Sequence, residues 1–262
     1  MSDFWDEIPR GQDVRGSEYR RRSKPIRQPC LIIFSGAGIS AESGIPTFRD
    51  SNGLWHGHDP LDVANYDTWR DNHALVHAFY NHRRTELGAA APNAAHTAVA
   101  MWEKAFPGRV FNITQNIDDL FERAGVESTL HLHGFLRNIR NIRTGELSDL
   151  GYSTFDPASD PERIIKPDVV FFGEQAPHYR VLGELAANLD SRDTIVSIGS
   201  SGAVVSIDGL VQATGAFGIL NVLDNVIGAI DEDVWHEHFF EPATQAVSRI
   251  DAIIRERMQD GQ

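Results

Sequence analysis

The sequence predicts an α/β fold, a doubly wound, Rossmann-like parallel sheet, and three observations carry that prediction. Short apolar runs recur along the chain, helix-length stretches separate them, and the first run closes on a glycine turn. That first run, CLIIFS from Cys30 to Ser35, is continuously apolar, as expected of a strand buried on both faces. Further strands are expected at Arg109 to Ile113, Val169 to Phe172, Thr194 to Ile198 and Gly218 to Leu223. Helices are expected between them, at about Asn72 to Leu87, Asn93 to Ala105, Asp118 to Ala124 and His178 to Leu189. A last helix, about Pro242 to Met258, should pack back across the sheet. Strands alternating with helices imply right-handed crossovers and hence parallel pairing.

Between Phe135 and Lys166 the alternation gives way to short polar pieces with Gly145, Gly151, Pro157 and Pro161. This predicts a small module, about residues 135–167, inserted into one catalytic domain spanning 29–262. Residues 1–28 form a polar arm carrying Arg15, Arg20, Arg21, Arg22, Lys24 and Arg27. It reads either as a solvated tail or as a docking strip for an acidic partner.

Composition narrows the function classes. At 262 residues the chain can bury a full core, with 41% hydrophobic and 23% charged residues. A formal net charge of -13 argues against nucleic acid as a partner, because phosphate-backbone affinity comes from displacing counterions with Lys and Arg. No apolar run is long enough for a membrane span and no secretory start is visible, so a cytoplasmic location is expected. The single cysteine, Cys30, excludes an intramolecular disulfide and a four-cysteine zinc site.

Directly after the first strand, GAGIS offers Gly36, Ala37, Gly38 and Ser40. Its two glycines would let backbone approach a pyrophosphate at a helix N-terminus. The third glycine of the dehydrogenase pattern falls late, at Gly44, so the turn alone is a weak signal. The block continues to Pro46, Phe48, Arg49 and Trp55, where Arg49 can neutralise a phosphate and Phe48 can cover a ring. TQNIDDLFERAG then places Gln115, Asn116, Ile117 and Asp118 at the carboxyl end of the second strand, where such sheets bind ligands. HLHG presents His133.

Taken in this order, the motifs resemble those of the sirtuin family. KPDVVFFGE, from Lys166, resembles the family's peptide-binding strand and contributes Val170, Phe172, Gly173 and Glu174. GSSG, with Gly199, Ser200 and Ser201, resembles its second phosphate-contacting turn. Asn225 and Ala243 match positions that contact the adenosine half of NAD in relatives. The resemblance runs from about Leu31 to Ile254. Taken singly, each member also has a structural reading: a turn glycine, a capping Asp118, a core histidine.

The resemblance implies NAD as a consumed co-substrate and acyl-lysine proteins or peptides as partners. The lysine carbonyl oxygen would attack the ribose carbon bearing nicotinamide, and the acyl group would leave on ADP-ribose. Asn116 would hold the ribose or an ordered water, Asp118 the nicotinamide carboxamide, and Gln115 would support that geometry. His133, with an ordinary pKa of about 6.5, suits the base that takes a ribose hydroxyl proton.

AFYNHRR puts Tyr80 and Arg83 three apart on one helix, hence on one face. In the sirtuin subgroup that removes succinyl and malonyl groups such a pair grips the acyl carboxylate, helped by a small residue upstream, here matched by Ala64. A guanidinium and a phenol supply charge-assisted bonds to a carboxylate that an acetyl group cannot use.

The chain departs from the family in places. No cysteine occurs between Phe135 and Lys166, so no zinc is expected, and the module should rest on packing and hydrogen bonds with a shortened or mobile tip. Thr47, Phe121, Ser200, Ser206 and Ile207 stand where relatives commonly carry other residues. Competing readings are an NAD-cleaving hydrolase or ADP-ribosyltransferase using the same pocket, and a catalytically silent NAD-binding protein. A dehydrogenase is disfavoured because no acidic residue follows the glycine turn at about 20 positions in a clear strand-end context.

Overall fold

The structure, a computed structural model, describes residues 28–46, 55, 57–223 and 230–259. Phe48, Arg49 and Asn225, Thr47 and nearly all of the basic arm lie outside the described residues. From β1 (Leu31–Ser35) the chain passes through α1 (Gly38–Ala41), α2 (Pro60–Val63), α3 (His73–Ala89) and α4 (Ala94–Ala105). It continues through β2 (Val110–Thr114), α5 (Leu120–Ala124) and β3 (Thr129–His131). Then come β4 (Gly134–Asn141), β5 (Leu147–Asp149) and β6 (Ile165–Val169). The rest is α6 (Arg180–Asn188), β7 (Thr194–Ile198), α7 (Asp208–Thr214), β8 (Phe217–Asn221), β9 (Glu237–Phe239) and α8 (Ala243–Gln259).

Six strands form the main sheet in the order β3-β2-β1-β7-β8-β9, and every neighbouring pair is parallel. All five residues of β1 are buried, as a central strand covered on both faces requires. Successive side chains point to opposite layers. Leu31 and Ile33 join the cluster that holds Trp102 of α4 and Ile250 and Ile254 of α8. Ile32 and Phe34 join the other, with Val181 and Leu185 of α6 and Leu210 of α7. Trp102 is fully buried, and its indole N–H donates to Asp251 at 2.8 Å, tying α4 to α8.

Two expectations need correction. Val169 to Phe172 is not a strand of the parallel sheet. The strand is β6, ending at Val169, and it pairs antiparallel with β4 in a separate three-stranded sheet, order β5-β4-β6. The run is apolar because Val169 and Phe171 pack with Tyr80 and Leu136 in a third cluster, and an apolar run does not say which sheet it serves. The stretch read as short polar pieces contains β4 and β5, whose turn is closed by the Asn141 N–H donating to the Glu146 carbonyl at 2.9 Å.

The residues of this module do not fit a thiolate-held zinc, since the chain's one cysteine, Cys30, is buried just before β1. Among the described residues no group of three or more His, Cys, Asp and Glu is arranged to hold a metal. Carboxylates do the bracing. Asp119, fully buried, accepts from the Tyr152 hydroxyl at 2.6 Å and from Arg137 at 3.3 Å. Arg137 also pairs with Asp149 at 2.7 Å. Removing a buried acceptor of this kind costs about 1–3 kcal/mol. Asp119→Ala is therefore expected to lower the urea midpoint and to speed protease cutting within residues 141–163. Dialysis against a strong chelator should leave the melting temperature of the native chain unchanged, read by circular dichroism.

Candidate active site

The sheet's strand order reverses between β1 and β7, and at such a switch point a crevice opens at the carboxyl ends of the strands. Both glycine turns lie there and touch. The Gly36 N–H donates to the Ile198 carbonyl at 3.1 Å and the Gly38 N–H to the Gly199 carbonyl at 2.9 Å. A Cβ on Gly38 would come within 2.8 Å of Gly199 backbone, and one on Gly199, whose φ is +66°, would overlap Ile39 N. Only glycine lets the two turns pack this closely, and the packed turns line the crevice with backbone suited to a pyrophosphate. Gly199→Ala is expected to cost about 1–3 kcal/mol of stability through strain. The same variant should weaken dinucleotide binding, measured by calorimetry.

The loop after β2 is organised by one hydroxyl. Ser40, at the end of the first turn, donates to Asp118 at 2.9 Å and accepts from the Asn116 amide at 3.0 Å. Its third partner is His96 Nε2 at 3.3 Å. His96 Nδ1 accepts from the Asn93 N–H in a capping box that opens α4, so Nε2 carries the hydrogen. Burial lowers the pKa of His96 to about 4, so it stays a neutral donor. Burial pushes the Asp118 carboxyl upward, against the hydrogen bonds from Ser40 and the Leu120 N–H. Gln115 reaches the second turn, donating to the Ser200 hydroxyl at 2.8 Å.

Two histidines two positions apart hold the carbonyls of this loop. His131 Nδ1 meets the Asn116 carbonyl at 2.7 Å and His133 Nδ1 meets the Gln115 carbonyl at 3.0 Å. A carbonyl only accepts, so each Nδ1 carries hydrogen and the second nitrogens decide the difference. His131 Nε2 faces Glu122 at 3.0 Å. Burial works to lower the His131 pKa, but the Glu122 carboxylate outweighs it and leaves the value raised. At His133 burial lowers the pKa, and the Gln115 carbonyl only partly opposes this. The carboxylate beside His131 favours its charged form, and burial of His133 favours its neutral form.

The wall opposite is the segment after β6. Val170 N–H donates to the His133 carbonyl at 2.9 Å, and Phe172 N–H to the Ala64 carbonyl at 2.8 Å. The Glu174 carboxylate is engaged in bracing that segment, pairing with buried Lys166 at 2.9 Å and accepting from the Phe171 N–H at 2.9 Å. Trp55 lies against Phe79 and Phe172. Tyr80, 2% exposed, stacks on Phe171, so it does not snorkel at the helix surface.

These parts enclose a cleft of about 1160 Å³. Its walls include Gly36, Ala37, Gly38, Trp55, Ala64 and Tyr80, then Gln115, Asn116, Ile117 and His133. Val170, Phe172, Gly173, Glu174, Gly199, Ser200, Ser201 and Ala243 complete the expected set found there. Ser40, Asp118 and Arg83 line a smaller pocket that shares Ala37, Asn116 and Ile117 with the cleft. Arg83 lines this smaller pocket and Tyr80 the cleft, with Glu86 3.9 Å from the guanidinium. Sequence reasoning missed His96, Tyr179 and Asp119. The Asn93–His96 spacing is a capping-box signal for the first; nothing local marks the others.

The Sir2 family profile matches residues 36–206. The chain is similar to the NAD-dependent protein deacylase of Helicobacter hepaticus, 42% identical over 246 residues, covering 85% of this chain and 96% of that protein. A second such deacylase, from Campylobacter jejuni, is 36% identical over 234 residues, covering 88% and 98%. Among solved structures, a Sir2 homologue in complex with ADP-ribose is 29% identical with a TM-score of 0.75, covering 89% of this chain and 95% of the other. A Sir2 homologue in complex with NAD, also 29% identical, gives 0.72, covering 89% and 92%.

Proposed function

The chain belongs to the Sir2 family, and from that premise we propose that its cleft moves negatively charged acyl groups, succinyl and malonyl beside acetyl, from protein lysine to ADP-ribose. It is an NAD-dependent protein-lysine deacylase. Acyl-lysine proteins or peptides are its substrates. When bound, NAD supplies an activated glycosidic carbon with nicotinamide as the leaving group. The paired turns at Gly36, Gly38 and Gly199 suit its pyrophosphate, since they line the cleft with backbone and carry no side chain there.

The remaining work falls to side chains. Asp118 and Asn116, both held by Ser40, orient the ribose and carboxamide. His133 takes the proton of a ribose hydroxyl. The acyl chain enters beside Ala64 and Tyr80, with Arg83 answering a terminal carboxylate. The observation that carries this reading is a single cleft whose walls include both glycine turns, His133 and Tyr80.

The test is mass spectrometry of acetyl-, malonyl- and succinyl-lysine peptides incubated with and without NAD. O-acyl-ADP-ribose should form from all three, fastest from the acidic acyl groups. Nicotinamide release that needs no acyl peptide would identify an NAD hydrolase or ADP-ribosyltransferase instead, and no release at all a silent binding protein.

A further inference from the structure

His133 Nε2, the nitrogen left bare by the Nδ1 contact to Gln115, is occupied. The Tyr179 hydroxyl lies 2.6 Å from it. Tyr179 ends the short turn Pro177–Tyr179 that follows the substrate-side segment. Its ring is tilted 50° to the imidazole with centroids 5.7 Å apart, so the contact is made by the hydroxyl and not by stacking. Because Nε2 has no hydrogen, the phenol must be the donor. Both residues line the cleft, and Tyr179 remains 36% exposed, which keeps its oxygen within reach of a bound molecule.

We propose that Tyr179 is a second catalytic residue, a proton relay standing between the ribose hydroxyl and His133. This rests on His133 being the base. The hydroxyl O–H breaks and its proton passes to the phenol oxygen, while the phenol's own proton passes to His133 Nε2. The phenol ends neutral, as it began. The imidazole becomes an imidazolium whose Nδ1–H still donates to the Gln115 carbonyl, and the hydroxyl oxygen keeps the electron pair that attacks the acyl carbon.

Several features fit a relay. Burial raises the pKa of Tyr179, so the phenol does not ionise alone and gives up its proton only as it gains another. Burial lowers that of His133, so Nε2 stays open to receive it. Among the described residues, titratable side chains around the pair include His178 and Arg180 flanking the tyrosine, Arg140 and Asp168 acting on His178, and His131 with its Glu122. His131 is held on the Asn116 carbonyl and does not compete for the phenol.

The test is Tyr179→Phe, which deletes one oxygen from a partly exposed turn and keeps the ring. Single-turnover formation of O-acyl-ADP-ribose from NAD and an acetyl-lysine peptide is followed in mixtures of H2O and D2O. For the native chain the rate should curve with deuterium fraction, because two protons move together. For Tyr179→Phe the rate should fall at least about tenfold and vary linearly, a loss in kcat more than in KM. A merely structural tyrosine would slow the reaction without changing the shape of that dependence. A linear dependence in the native chain, or a variant within about threefold of it, means the hydroxyl reaches Nε2 directly and overturns the relay. Activity in His133→Ala would remove the base itself, a result separable from either outcome for Tyr179. A native chain that yields no product removes the deacylase reading and the relay together.

Discussion

His133→Ala is expected to abolish deacylation, by at least about a hundredfold, while NAD still binds. The two halves of that expectation come from different parts of the cleft. In the proposed function dinucleotide affinity comes from the packed turns at Gly36 to Gly38 and at Gly199, whereas the imidazole bonds to Gln115 and Tyr179. The rate depends on a neutral nitrogen able to take a proton, and alanine offers none. Calorimetry with NAD and mass spectrometry of the acyl product read the two separately. Retention of more than a few per cent of the native rate would exclude His133 as the base. The pH dependence follows from the same environment. Burial holds the His133 pKa below its ordinary value of 6.5, so the base stays unprotonated at pH values where a free histidine is charged. Activity should therefore persist as pH falls through 6.5 and decline only below it.

The second large effect concerns acyl choice. Arg83→Met is expected to lower desuccinylation at least about tenfold more than deacetylation, since a hydrogen bond to a charged group contributes about 1.5–3 kcal/mol. Methionine roughly preserves the aliphatic stem that Arg83 extends from α3, so the variant separates lost charge from lost packing. Burial pulls the Arg83 pKa down, with Glu86, Tyr80 and Asp118 opposing, but a guanidinium remains charged throughout the working range. An acetyl group presents nothing for that charge to hold, whereas a succinyl carboxylate does. Steady-state comparison of acetyl- and succinyl-lysine versions of one peptide decides the matter. Equal losses on both would mean that Arg83 supports the helix and not the substrate.

What could be read from the sequence follows from how locally each feature is encoded. The central strands announce themselves because burial on both faces leaves only apolar positions, as in Leu31 to Phe34. The edge strands Thr129–His131 and Glu237–Phe239 were not legible: each has three residues and a half-exposed face, so neither makes an apolar run. The small sheet escaped for a related reason, since β4 buries only Leu136 and Ile139, three positions apart across a register shift, and β5 is exposed throughout. At the site, residues within one continuous motif were legible, and Gln115 through Asp118 sit together on their loop. Partners supplied from afar were not. His96 lies 56 positions from Ser40, and Tyr179 lies 46 from His133, separations at which no spacing rule operates.

Asp118 and Asp119 are neighbours in the chain, yet the first lines the small pocket and the second grips Arg137 and Tyr152. A metal ion bound by thiolates would stiffen such a module from within and leave it indifferent to its surroundings. Here the fastening reaches outward and lands next to Asp118, on the loop after β2 that the proposed function places at the reacting atoms. Arg137 and Tyr152 are thereby tied to the peptide unit next to Asp118, so a change in how the β4–β5 hairpin is fastened bears directly on the loop after β2.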